Sequence, residues 1–229
     1  MLRAILLGAA AQSSLIISGL AVYGVRFPAK TVGALAGFGA GALISAVAFD
    51  LIPESQSLAN PQLALWLLVG AAVFVVSDRI VETRFGKEGA SGPLGIVVGS
   101  VVDGIPESLI FGIQIAAGQG LSAAFVAAVW VSNIPQALAP SADLADSGWR
   151  MGRMTVMWGS VVGACGMAAG AGYLFAEAFG STGGRAAALA SGGLLAMLTD
   201  SLMPYAFNRG GSQAGVWTVV GFAAAMASV

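Results

Sequence analysis

The hydrophobic pattern of this chain consists of long apolar runs that are interrupted by short joints rich in Pro and Gly. Each run approaches the roughly 20 residues that a helix needs to cross a bilayer. No linker is long enough to divide the chain, so a single polytopic domain over residues 1–229 is predicted. The pattern predicts an all-α membrane protein with eight transmembrane helices, numbered in chain order: Leu2–Tyr23, Thr31–Ile52, Gln62–Asp78, Pro93–Ala117, Leu121–Pro140, Met154–Phe179, Gly184–Phe207 and Gln213–Val229.

Composition agrees with a location in the lipid bilayer. Hydrophobic residues make up 57% of the chain and charged residues only 9%, whereas a soluble domain carries about 25% charged residues. The formal net charge of −1 provides no basic surface for nucleic acid. The chain contains no His and one Cys, which excludes histidine-based metal sites, cysteine-based zinc sites and an intrachain disulfide. Because the first apolar run continues to Tyr23, it is interpreted as a retained helix and not as a cleaved signal peptide.

The distribution of basic residues predicts the orientation. With the N-terminus outside the cytoplasm, the inner joints hold eight of the ten Lys and Arg residues, and the outer side holds Arg3 and Arg185. Positive residues concentrate on the cytoplasmic side of membrane proteins. We therefore expect both termini to be extracytoplasmic and the protein to reside in the plasma (inner) membrane.

Two carboxylates lie in the middle of the fourth apolar run, within the stretch Gly99–Leu109. Asp103 and Glu107 are four residues apart, which places them on one helix face. An ionised side chain at the centre of a spanning helix costs about 2.5–3.5 kcal/mol on insertion scales, so the pair needs a compensating partner. Pro106 cannot donate to the carbonyl of Val102, which leaves that oxygen free beside the acids. This combination is typical of a cation site.

The fifth run repeats the Ile-Pro motif with uncharged oxygen donors. Ser132, Asn133 and Gln136 lie within one turn of each other, and Pro135 frees the carbonyl of Val131. An alternative interpretation is that Pro and small polar residues only shape the helix and satisfy each other. That alternative applies above all to Ser132.

Three further carboxylates lie towards the ends of other predicted helices. Asp50 and Glu54 are placed at the outer end of helix 2, and Asp200 in the inner half of helix 7. They are candidates for stations on a pathway through the central site. Asp50 and Glu54 are equally interpreted as ordinary solvated acids at a helix end, an alternative that applies less to Asp200, which lies deeper in its helix.

Four stretches resemble the ZIP family of divalent-metal transporters. They are Gly37–Glu54, similar to the family's helix 2, Asp103–Ser108 and Ser132–Ala137, similar to its paired metal-binding helices 4 and 5, and Ala196–Pro204, similar to its helix 7. The resemblance covers nearly the whole chain. It implies a ZIP-like bundle of eight helices in which Pro-kinked helices 4 and 5 form a mid-membrane metal site, and it implies a homodimer.

The metal ligands follow from the resemblance position by position. The family's helices 4 and 5 commonly read His-Asn-x-Pro-Glu-Gly. Of the six His, Asn and Glu positions, both His positions and two others differ in this chain. The ligands implied here are Asp103, Glu107, Asn133 and Gln136, with Ser132 as a weak candidate.

Two departures from the family bear on the substrate. Gly104 offers no side chain where the family has Asn, and no carboxylate occurs between Arg153 and Glu177 to complete the second metal site found in many members. We therefore expect the second site to be absent. Without imidazole, the remaining ligands favour oxygen-preferring cations such as Mn²⁺, Mg²⁺ or Fe²⁺ over Zn²⁺.

These observations predict transport of a divalent metal cation (Mn, Fe, Zn or Mg class) towards the cytoplasm, with the ion as substrate and no cofactor. The alternative is a ZIP-fold permease for a non-metal or organic cation, or a non-transporting membrane scaffold. An enzyme is not expected, because the sequence lacks a His–Glu motif, a Ser–Lys pair and a nucleophile with an adjacent base.

The orientation is testable by thiol labelling of intact cells in a Cys165→Ser background. A Gln119→Cys variant should react with an impermeant thiol reagent from outside, because the joint between helices 4 and 5 is predicted to be extracytoplasmic. A Lys87→Cys variant should react only after the cells are opened. The reverse labelling pattern would refute both the orientation and the direction of transport.

Overall fold

The structure is a computed structural model that describes residues 1–85, 92–118, 121–178 and 184–228. Within these ranges the chain forms helices and short turns and no strand. Helices satisfy their own backbone hydrogen bonds, which is the condition for crossing lipid. The eight helices are α1 (Leu2–Ala21), α2 (Ala29–Glu54), α3 (Asn60–Phe85), α4 (Gly92–Ala116), α5 (Ala123–Asp146), α6 (Met151–Ala178), α7 (Gly184–Gly210) and α8 (Ser212–Met226).

The predicted class, an all-α bundle of membrane-compatible helices, is confirmed. Within the described ranges, seven helices are long and apolar enough to cross a membrane. The remaining one, α8, has only 15 residues and is shorter than a typical span. The predicted helix ends at Phe179 and Val229 lie outside the described residues, as do the labelling positions Lys87 and Gln119.

Two helices contain a wider turn at matching places. A π-helical turn covers Val47–Leu51 in α2 and Leu198–Leu202 in α7, and Pro53 and Pro204 follow two residues after these turns. Such π turns are frequent at functional sites, because they rotate the side chains that follow them.

The packing of the helices repeats within the bundle. The contact between α2 and α8 corresponds to the contact between α7 and α3. In the same way, α4 on α6 corresponds to α5 on α1, and α2 on α5 corresponds to α7 on α4. In this correspondence α1, α2 and α3 are equivalent to α6, α7 and α8, and α4 is equivalent to α5. Helices α1 and α6 are antiparallel, since Gly8 lies against Ala169 while Gly19 lies against Trp158. The bundle is therefore an inverted repeat, an arrangement common among secondary transporters.

The two ends of the bundle are named after the predicted orientation. The outer end holds the C-terminus of α2 and the N-terminus of α5, and the inner end holds the C-termini of α5 and α7.

Glycine brings α2 and α5 together beside the predicted site. A Cβ atom at Gly39 would lie 2.6 Å from Cα of Ser132, closer than two carbon atoms can approach. Only glycine therefore permits this contact, in keeping with the small-residue packing of membrane helices.

A stability measurement tests this contact. Gly39→Ala should lower the free energy of unfolding by about 1–3 kcal/mol, because the backbone of α5 has to move away. The matched control is Gly163→Ala in α6, whose Cβ would meet nothing within 4 Å. This control should be neutral or slightly stabilising. Equal unfolding curves for the two variants would show that the close approach does not exist.

Candidate cation site

The two predicted carboxylates of α4 are both buried. The side chain of Asp103 is 6% exposed and that of Glu107 is 1% exposed. Helix α4 continues through Pro106, and α5 continues through Pro135. One helical turn separates the two acids, so they lie at two successive depths in the bundle.

Glu107 lies at the deeper level and accepts hydrogen bonds from neutral groups. The amide Nε2 of Gln12 donates to Glu107 Oε2 at 3.0 Å. The hydroxyl of Ser132 donates to the carbonyl of Val129 at 2.9 Å and lies 3.5 Å from Glu107 Oε1. Asn133 Nδ2 in turn donates to Oε1 of Gln12 at 2.6 Å. Three helices, α1, α4 and α5, therefore converge on one carboxylate.

Gln12 is a site residue that the sequence analysis did not identify. Its side chain is 0% exposed, and it links Glu107 with Asn133. The regular helix is interrupted beside it, because α1 consists of two segments that meet at Ser13. The available signal was a long polar side chain inside an apolar run, which membrane helices keep mainly for contacts within the protein.

Asp103 lies at the shallower level and lines a cavity of about 480 Å³. Gln136 also lines this cavity, and Ser201 Oγ donates to Asp103 Oδ1 at 3.2 Å. The lining continues to Asp143 and Asn208, which are exposed at the inner end. The cavity therefore extends from the inner surface to the first of the two buried acids.

The wall of this cavity also includes a basic and an aromatic side chain. The guanidinium of Arg209 lies 5.0 Å from the ring centroid of Tyr205, a cation–π arrangement. The hydroxyl of Tyr205 donates to the carbonyl oxygen of Pro135 at 2.9 Å. This bond fixes α7 against the Pro-containing segment of α5.

The ligand set is rich in oxygen and poor in charge. Within the described ranges, no group of three or more His, Cys, Asp or Glu side chains is placed to hold a metal. A cation bound here would need amide, hydroxyl or water oxygens beside the carboxylates. Such mixed oxygen shells suit Mg²⁺, Mn²⁺ or Ca²⁺ better than the closed tetrahedral shell of structural zinc.

The sulfur of Cys165 lies where the resemblance would place an Asn side chain. A Cβ atom at Gly104 would lie 2.6 Å from Sγ of Cys165 in α6. The thiol is fully buried. At this level α6 thus contributes a thiol, in a segment where the sequence offers no carboxylate.

The three candidate pathway acids are divided between two places. Asp50 Oδ2 accepts a hydrogen bond from Ser122 Oγ at 2.6 Å, and Glu54 Oε1 accepts one from Gln114 Nε2 at 3.2 Å, both at the outer end. Asp200 is exposed and does not line the cavity. Its neighbour in sequence, Ser201, makes the contact with Asp103 instead.

A double-mutant cycle tests the link between Gln12 and Glu107. Gln12→Leu alone should cost about 1–3 kcal/mol of stability, because buried groups lose their partners. In a Glu107→Gln background the cost should differ by about 0.5–3 kcal/mol, since the two side chains are in contact. The readout is the free energy of unfolding in mixed micelles. Gln12→Leu combined with Asp50→Asn is the control pair, and its effects should add within about 0.5 kcal/mol. Additivity in the first pair would contradict the contact.

No protein-family model and no curated protein sequence matches this chain. The similarity to the ZIP family therefore stays a prediction from the motifs, and functional inference rests on the geometry of the site.

Proposed function

We propose that this protein carries a divalent metal cation across the membrane, towards the inner side, through the site between α4 and α5. The observation that carries the proposal is the cavity of about 480 Å³ that extends from the inner surface to Asp103, one helical turn from the buried Glu107. Membrane proteins keep acids at such depth mainly for ions, protons or ligands.

The two levels of the site have different tasks in this proposal. Asp103 and Gln136 face the cavity, where an ion retains part of its water shell. Glu107 is enclosed by Gln12 and Ser132, so an ion that reaches it exchanges water for protein oxygens. Two carboxylates balance the charge of one divalent ion, which supports this class of substrate.

The inverted repeat supports alternating access. In transporters of this construction, the substrate site lies at the interface of the repeats, and relative movement of the repeats opens it to either side. The cavity at the inner end corresponds to an inward-open arrangement. The orientation that makes this end cytoplasmic, and the homodimer, remain expectations from sequence.

A small organic cation is the second candidate, and the cavity size favours it. A volume of about 480 Å³ exceeds the needs of a bare metal ion and falls within the range of small-molecule pockets, about 300–1,000 Å³. An organic cation would contact Asp103 in the cavity but would not need the enclosed Glu107. Neutralising Glu107 therefore discriminates between the two candidates.

Charge neutralisation tests the proposed function. Asp103→Asn and Glu107→Gln keep the shape of each side chain, and each should weaken Mn²⁺ binding by about 1.5–3 kcal/mol, the range for charge-assisted contacts. Binding is measured by titration in nanodiscs, and transport by Mn²⁺ uptake into proteoliposomes.

Asp146→Asn is the control, because this acid is exposed at the inner end of α5 and does not line the cavity. It should leave binding unchanged. Normal Mn²⁺ binding and uptake by both neutralised variants would refute the proposal. If only Asp103→Asn weakens binding, and an organic cation binds more tightly than Mn²⁺, the second candidate would be favoured.

A further inference from the structure

The outer end of the bundle carries a polar cluster that the central site does not use. It consists of Asp50, Glu54, Gln114 and Ser122 and is called the outer cluster. The two acids of α2 are half-buried. Each is held by one neutral donor, Ser122 at the start of α5 or Gln114 near the end of α4. These two hydrogen bonds connect α2 with both helices of the central site.

The amide of Gln114 indicates what this cluster binds. The side chain is only 1% exposed, and its Oε1 has no hydrogen-bond partner in the described part of the chain. A buried acceptor without a partner is unfavourable, so native proteins rarely keep one without a reason. Rotation of the amide about its Cγ–Cδ bond would turn Oε1 towards Glu54. That arrangement of oxygens is favourable when a cation lies between them.

The inverted repeat provides an independent argument from α2 and α7. Superposing their π-helical turns, with the following prolines in register, pairs Asp50 with Ser201 and Glu54 with Tyr205. Ser201 and Tyr205 both line the inner cavity. The two acids of the outer cluster therefore occupy the positions that, in the other repeat, line the path to the site.

The equivalence of α4 and α5 also relates the outer cluster to residues that line the inner cavity. Aligning the Ile-Pro motifs of the two helices pairs Gln114 with Asp143, which lines the mouth of the inner cavity. It also pairs Glu107 with Gln136, which faces that cavity. The inner cavity thus has a counterpart at the outer end, with the outer cluster at its mouth and Glu107 at its base.

Two aromatic side chains fill the outer counterpart of the inner cavity in this conformation. Phe111 and Phe125 are fully buried, and their ring centroids are 4.9 Å apart. The same alignment pairs them with Pro140 and Ile96, which line the open inner cavity. Pro140 and Ile96 line a cavity at the inner end, whereas the two rings, tilted by 44°, pack against each other at the corresponding positions of the outer end, where Phe111 lies between Glu107 and Gln114 along α4.

We propose that the outer cluster is a second cation-binding site, which receives a divalent ion from the outer solution before the aromatic pair separates. The carboxylates of Asp50 and Glu54 and the Oε1 of Gln114 bind the ion, and water completes its shell on the exposed side. Oxygen ligands with retained water suit a partly hydrated Mn²⁺ or Mg²⁺. The inference rests on the proposed function, because it places this site on the same path.

The number of bound ions separates the two sites. Mn²⁺ titration of purified protein in nanodiscs should give two bound ions for the wild type. The Asp50→Asn/Glu54→Gln variant should bind one, and so should the Asp103→Asn/Glu107→Gln variant. Gln114→Glu should tighten the outer site at least tenfold by adding a carboxylate, whereas Gln114→Leu should weaken it. Glu177→Gln, an exposed acid at the outer end of α6, is the control and should still bind two ions.

Each alternative result has a defined meaning, once gel filtration and thermal unfolding show that the variants are folded. Two ions bound by the Asp50→Asn/Glu54→Gln variant would overturn this inference. A single ion in the wild type that is lost only with Asp103 and Glu107 would also overturn it, while the proposed function would stand. A single ion lost only with Asp50 and Glu54 would overturn the proposed central site instead. No bound ion in the wild type would overturn both.

Discussion

The burial of a carboxylate among neutral groups is the constraint on which this structure depends. Removing an acid from water is costly, and each neutral donor that contacts it recovers only part of the lost hydration. At Glu107 the compensation comes mainly from Gln12, which Asn133 holds in place, with the Ser132 hydroxyl 3.5 Å away. Because those donors belong to α1 and α5, three helices must hold their relative positions for the acid to be tolerated. The same contacts therefore determine how the helices pack and how the acid of the site is stabilised.

The close approach of the helices follows from the same requirement. Short side chains such as Ser132 and Asp103 reach their partners only if the backbones are near each other. Gly39 permits the approach of α2 to Ser132 of α5, and Gly104 leaves room for the Cys165 sulfur of α6 beside α4. These two glycines thus shape the surroundings of the site, although they carry no functional group. In lipid, where apolar burial gives little drive for association, such packing also holds helices together.

The sequence identified the elements of the site but not all of its contacts. The carboxylate pair, the Ile-Pro repeat and the helical class were predictable, because charge and Pro are rare inside apolar runs. Gln12 was not assigned to the site, since its partner Glu107 is distant in the sequence and no local pattern reports that contact. Likewise, Ser201 and not the adjacent Asp200 contacts Asp103, and no local pattern indicates which of these two residues of the π-helical turn faces α4. Periodicity is a weak guide in this class, since helix faces towards lipid and towards protein are both apolar.

The contact between Gly104 and Cys165 links two positions that are remote in the sequence. An Asn side chain at position 104 would overlap the Cys165 sulfur where it now lies, so Gly104→Asn requires the thiol to move or to be replaced by a smaller group. The two positions are therefore coupled, and the effect of a substitution at position 104 depends on which side chain occupies position 165.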